Sequence, residues 1–208
     1  MPVIGEGARI YGTLFLAIIE TYVMSTSLVE FIQKKMGYPE LQKVDPVDHE
    51  VKHPGERTMR EKLAQSAIPT VLASLYKFTR SEQGREKILS GNAEENWLYT
   101  ILGEKERIAV DKVAHYAGVS KEIAEENMLM ISLEAIHALR ESIVNHPTHE
   151  AVTRFMGDQR HSILVYLPAS MQLGRLLEDD SLDDRTNKME GPISNFVHTI
   201  ENKFSGNE

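Results

Sequence analysis

The chain has 208 residues, of which 41% are hydrophobic, so it can bury a core as one domain or as two small domains in contact. Its formal net charge of −8 argues against phosphate-rich partners and anionic membranes, which need clustered lysine and arginine. The lack of cysteine excludes disulfides, thiol nucleophiles and cysteine-ligated zinc, and it fits a reducing, cytoplasmic compartment.

Apolar residues recur with helical spacing along nearly the whole chain, which predicts an all-α, compact multi-helix bundle. The first predicted helix covers residues 8–35. Its apolar run, residues 10–24, is shorter than the roughly 20 residues that a membrane span needs and lacks the cleavage site of a signal peptide. We therefore expect no membrane span. Residues 14–19 are apolar on more than one side, and burial within the chain and association with another chain both explain them.

The Pro-rich, charged segment 38–57 is predicted to be a loop or linker. It contains the pattern H-E-x-x-H of zinc peptidases, with His49, Glu50 and His53 at the three defined positions. On a helix the two histidines would share one face and bind zinc, while the glutamate polarised its water. Pro54, directly after the second histidine, ends any such helix, so a loop with a short helical turn is the preferred prediction.

A long helix is predicted next, over residues 58–80, in which Pro69 either produces a kink or begins a second helix. Shorter helices follow it, each marked by a cap or a glycine. They are a helix that Ser81 caps and Gly91 closes, a helix near 94–102 and a helix over 105–117.

Residues 110–128 predict a helix-turn-helix corner, because an apolar stripe is followed by Gly118 for a left-handed turn and by Ser120 as the next N-cap. DNA-binding proteins use such corners, so a DNA-binding protein is one alternative function. The charges oppose it, since three carboxylates would face the phosphates, and we expect no nucleic-acid partner. The first exposed positions of the would-be recognition helix are Lys121, Glu122, Glu125 and Glu126.

The helix after this corner is predicted over residues 120–146. Residues 128–139 are apolar on all sides, which predicts that this helix is central and surrounded by others. Glu134 and His137 stand three apart on one face and form half of the ligand set of a di-metal carboxylate bundle. Together with the loop candidates they define a second alternative, a metal-dependent enzyme, whereas we expect no cofactor and no enzyme activity.

The C-terminal part, after Pro147, predicts further short helices around an acidic loop. We divide the chain into three parts on this basis. They are an apolar helix with a Pro-rich loop over 1–57, a helical core over 58–156, and short helices that pack on the core over 157–208.

Residues 65–140 resemble the YidB-like bacterial domain of unknown function. The resemblance depends on a Pro-initiated apolar helix at 68–69, a short helix after Ser81, Leu-Gly at 102–103, and the corner Ala-Gly-Val-Ser at 117–120. It implies an all-α bacterial protein from a family with no established activity, so it transfers no site residues. We therefore predict an interaction or assembly module that associates with itself or with another protein through its N-terminal apolar helix.

Overall fold

The structure is a computed structural model that describes residues 27–182, except residues 46, 48, 53 and 92–94. The described residues contain helices and no β-strand, and they form a compact bundle, so the all-α prediction is confirmed. The α-helices are α1 (Leu28–Lys35), α2 (Met59–Thr79), α3 (Glu82–Ser90), α4 (Trp97–Leu102), α5 (Glu106–Ala117), α6 (Lys121–Ser142), α7 (His149–Leu164) and α8 (Leu173–Leu177). Short 3₁₀ turns cover Pro54–Glu56, Gly103–Lys105, Ala169–Met171 and Asp180–Leu182.

Helix α2 lies at the centre of the bundle. Thr58 begins it with a capping box, in which the Thr58 hydroxyl accepts from the Glu61 N–H and the Glu61 carboxylate accepts from the Thr58 N–H. Residues 63–75 are buried without interruption, and α2 contacts α1 and every helix from α3 to α7. Pro69 lies inside this continuous helix and does not begin a second one.

Small polar side chains in α2 find their partners within the helix itself. The Ser66 hydroxyl donates to the Lys62 carbonyl (2.9 Å), and the Ser74 hydroxyl donates to the Thr70 carbonyl (2.7 Å). Neither serine therefore needs a partner from a neighbouring helix, which lets the surrounding helices pack closely. The Thr70 hydroxyl differs, because it is buried with no hydrogen-bond partner among the described residues.

Helix α6 is not surrounded, so the prediction from residues 128–139 is wrong in this respect. Ile131 and Ile136 are buried, as expected for core residues, but Met130 and His137 are exposed. Helix α6 contacts each helix from α1 to α5 and also α7, but these contacts leave one stripe of its surface open to solvent. An apolar sequence indicates burial on average and does not say which of two apolar helices is central.

The prediction of one continuous helix over residues 8–35 is wrong at Ser27. The Ser27 backbone is extended (φ −64°, ψ 148°), and its hydroxyl accepts from the Glu30 N–H (3.3 Å), so α1 begins at Leu28. The Leu28 N–H donates to the Gln159 side chain of α7 (2.7 Å). The apolar run 10–24 lies outside the described residues.

The predicted helix-turn-helix corner joins α5 to α6. Gly118 is left-handed (φ 70°, ψ 34°), and its N–H donates to the Ala114 carbonyl (2.9 Å). The Val119 N–H donates to the same carbonyl (3.1 Å), and the Ser120 hydroxyl accepts from the Ile123 N–H (3.4 Å). These bonds end one helix and begin the next, so the corner is confirmed as local structure.

Other local predictions also agree with the structure. Ser81 is the N-cap of α3, and Gly91 ends it by donating to the Lys87 carbonyl (2.8 Å). Helix α6 ends at Ser142, earlier than predicted. One hydrophobic core extends from Leu28 to Leu182, so it connects the three predicted parts of the chain, whose boundaries stay a prediction. Within the described part of the chain, no helix is both long and apolar enough to cross a membrane.

Candidate functional site

The described residues of the H-E-x-x-H pattern lie in a loop, as predicted. His49 has a left-handed backbone (φ 58°), and residues 49–52 are not helical. An α-helix through His49 is excluded by this conformation, so the one-face arrangement of a peptidase is absent from the described part of the pattern. His53 lies outside the described residues.

Residues of this pattern form hydrogen bonds between the loop before α2 and the loop after α7. The Glu50 carboxylate accepts from the Ser170 N–H (2.6 Å), and the His49 carbonyl accepts from the Ala169 N–H (2.9 Å). Two hydrogen bonds thus attach the loop before α2 to the loop after α7. Glu50 acts here as a structural hydrogen-bond acceptor, a role that the sequence pattern did not indicate.

Tyr116 of α5 lies next to this attachment. Burial, together with the negative charge of Glu50, raises the pKa of its phenol to about 12, while Arg57 opposes the shift. The phenol therefore stays protonated at neutral pH. Tyr116 therefore cannot act as a general base at neutral pH, because it would first have to lose its proton.

A buried glutamine in α2 connects the same two loops to the core. The Gln65 amide nitrogen donates to the carbonyls of Gln42 (2.9 Å) and Tyr166 (2.6 Å). Its oxygen accepts from the Gln42 N–H (2.9 Å) and from the Arg57 guanidinium (3.0 Å). All hydrogen-bonding positions of the amide are thereby satisfied. A glutamine within a buried apolar run was the signal that could have identified it from the sequence.

Glu134 and His137 are on the outer side of α6. The His137 side chain is 65% exposed, and its Nδ1 lies 3.7 Å from a Glu141 carboxylate oxygen, one helical turn away. Glu134 is half-buried. Among the described residues, no group of three or more histidine, aspartate and glutamate side chains could hold a metal ion. Metal binding by the five candidate residues stays a prediction that the described residues do not support.

The start of α6 presents an acidic surface. Glu122, Glu125 and Glu126 are exposed, and Lys121 forms an ion pair with Asp111 (2.6 Å). Glu122 and Glu125 line part of a cleft of about 440 Å³ at the corner of α5 and α6. Because the only lysine of this turn is paired, the surface repels phosphate groups more than the sequence alone indicated.

An apolar groove lies where the end of α1, the start of α2 and the start of α6 meet. We call it the corner groove; its volume is about 380 Å³. Its apolar lining includes Met36, Met59, Leu63 and Val119. Met59 is 64% exposed, although it is a large hydrophobic residue, and Ile123 is 46% exposed on the adjacent first turn of α6.

Polar groups form the rim of the corner groove. The Tyr38 hydroxyl donates to the Asn127 side chain, and the Arg60 guanidinium lies 5.8 Å from the centre of the Tyr38 ring. Arg60 also donates to the Gly37 carbonyl (2.9 Å) and forms no ion pair with the described carboxylates. The groove therefore combines an apolar floor with one cation that lacks an anionic partner in the described body.

Sequence reasoning missed this groove because its lining comes from three separate parts of the chain. Met36, Met59 and Val119 are far apart in sequence, and no local pattern connects them. Comparisons of the chain with protein-family models, with curated proteins and with solved structures find no match.

Proposed function

We propose that this chain is a non-enzymatic interaction or assembly module that binds a second copy of itself or another protein through residues 10–24. The observation that carries this proposal is the breadth of the apolar face of this segment. Residues 14–19 are apolar without a break, which on a helix makes more than one side apolar. A segment with apolar residues on several sides needs more than one surface to bury them, and contact with another chain supplies such a surface.

The corner groove supports the same proposal. Its exposed Met59 and the neighbouring Ile123 extend apolar surface beyond the groove floor. Methionine side chains are flexible and polarizable, so a methionine-lined groove adapts well to apolar partners. The acidic start of α6 makes a nucleic acid an unfavourable partner for this surface, which is why we propose a protein partner.

We also propose that residues 65–140 are a YidB-like bacterial domain and that the protein is cytoplasmic. The first proposal is supported by the positions of the resembling residues: Ser81 caps α3, Gly103 follows α4, and Gly118 forms the corner. The second is supported by the lack of cysteine.

The decisive experiment is light scattering of the intact chain over a wide concentration range. We expect a mass above that of one chain, and Leu16→Glu should give a folded monomer, because a charge in the apolar segment opposes burial. Thr13→Glu is the matched control, since the helical period would place Thr13 on the same side as Arg9 and Glu20, and it should associate like the intact chain. A folded monomer for the intact chain at every concentration would contradict the proposal.

A further inference from the structure

We infer that the corner groove receives the N-terminal apolar segment of a second copy, so that two chains exchange residues 10–24 reciprocally. This inference rests on the proposed function and assigns the surface that the segment binds. Three points carry it: the width of the apolar face that the sequence predicts for the segment, the place where the segment joins the body, and a cation at the rim of the groove that has no carboxylate partner among the described residues.

The apolar face of the segment is too wide for one shallow groove. On a helix, as the apolar period predicts, Arg9, Thr13 and Glu20 fall on one narrow stripe, and about three quarters of the circumference is apolar. The corner groove covers only one side of such a helix. In a reciprocal dimer the two exchanged segments also cover each other, which a single chain folded on itself does not provide.

The point of attachment favours exchange over occupation by the same chain. Ser27 begins α1, and the Leu28 N–H is held by Gln159 of α7. The groove begins at Met36, beyond the opposite end of α1, about 12 Å away at 1.5 Å per residue. A segment filling its own groove would have to reverse at Ser27 and return along α1. The exposed side of α1 carries Glu30 and Lys34, so that path would bury charges under an apolar helix.

Charge complementarity identifies the orientation of the bound segment. Arg60 at the rim has no carboxylate partner among the described residues, and Glu20 is the acidic residue on the polar stripe of the segment. An exchanged segment with its apolar side in the groove can place Glu20 beside Arg60 at the edge. Such a pair adds specificity and on-rate at the rim more than it adds affinity.

Cross-linking tests which chain fills the groove. The chain has no cysteine, so Leu16→Cys combined with Met59→Cys creates the only two thiols, and a short bifunctional maleimide joins them if they are close. We expect a covalent dimer. A mixture of the two single variants should give a cross-linked pair with one of each. A monomer with an internal cross-link would overturn the inference in favour of the chain's own segment.

Matched variants separate this inference from the proposed function. Met59→Glu should weaken association at least several-fold, whereas Val144→Glu, which changes a similarly exposed apolar residue outside the groove, should not. If Leu16→Glu gives a monomer but Met59→Glu associates normally, the segment binds elsewhere, and the inference fails while the proposed function stands. If the intact chain is a monomer, both fail.

Exchanging the charges of Arg60 and Glu20 tests whether these two residues are neighbours in the dimer. Arg60→Glu and Glu20→Arg should each weaken the dimer several-fold, because each places like charges together, and the double variant should restore association. Arg154→Glu, an exposed change on α7, is the control and should have no effect. A double variant as weak as the two single ones would show that Glu20 and Arg60 are not neighbours in the dimer and would overturn the proposed orientation.

Discussion

Helices α2 and α6 are almost equal in length, yet they occupy different environments. Helix α2 contains a buried glutamine, buried serines and a proline, but residues 63–75 have no exposed position. Helix α6 has the more apolar middle, but Met130 and His137 face solvent. The two helices contain equal numbers of hydrophobic residues, so the number of hydrophobic residues does not decide which one is buried more completely.

This difference teaches that a helix can be buried along its length when nearly all of its polar groups are satisfied, the Thr70 hydroxyl being the exception in α2. In α2, the two serines donate to carbonyls of their own helix, and Gln65 receives and donates all of its hydrogen bonds. In α6, the outer polar groups are left to solvent or to an ion pair such as that of His137 with Glu141. Hydrophobic content alone does not separate the two helices.

The largest effects should come from core truncations in either helix. Leu72→Ala in α2 and Ile131→Ala in α6 should each lower the free energy of unfolding by about 2–5 kcal/mol, because both residues are fully buried. Met130→Ala, one residue before Ile131, should change it by no more than about 0.5 kcal/mol. Chemical denaturation monitored by circular dichroism measures all three. A loss for Met130→Ala as large as for Ile131→Ala would remove the contrast between the helices.

A smaller but still clear effect is expected for Gln65→Leu. This change leaves the Gln42 backbone groups and the Tyr166 carbonyl without their buried partner, and it should lower the free energy of unfolding by about 1–3 kcal/mol. Gln33→Leu in α1 is the control, because Gln33 is only half-buried. Equal free energies of unfolding for the Gln65→Leu protein and the unmodified protein would show that the hydrogen bonds of Gln65 add nothing to the stability of the protein.

The smallest effect concerns the unpaired hydroxyl of Thr70. Thr70→Val keeps the shape and removes a buried group that has no described partner, so the free energy of unfolding should stay the same or rise by up to about 1 kcal/mol. Thr79→Val should instead lower it by about 1 kcal/mol, because the Thr79 hydroxyl donates to the Tyr76 carbonyl (2.9 Å). Thermal melts of both variants compare them directly. Destabilisation by Thr70→Val would indicate a partner for this hydroxyl.

The features that were predicted correctly depend on a few neighbouring residues. Ser81 and Ser120 cap the helices that follow them, and Gly118 supplies the left-handed turn. Ser27 has the same kind of local signal, since Glu30 follows three residues later as in a capping box. The continuous apolar period of residues 8–35 obscured it, so this error came from weighing periodicity above capping.

The features that were missed depend on distant residues. The corner groove needs Met36, Met59 and Val119 to meet, and the loop attachment needs Glu50 to reach Ser170. A sequence read in short windows contains no signal for such contacts, because they arise from packing of whole helices. The H-E-x-x-H pattern is the opposite case, because a local pattern is present without the structure that it usually indicates. The left-handed backbone at His49 excludes the helix on which the zinc ligands of a peptidase would lie.

The hydrogen bonds of Gln65 have a consequence for the order of folding. They join α2 to Gln42, 23 residues earlier, and to Tyr166, 101 residues later. Closing such long loops is entropically slow, so the helices of the corner can form long before the amide finds its acceptors. The two loops should then settle on the core together in one late step, and they should also detach together as one cooperative unit.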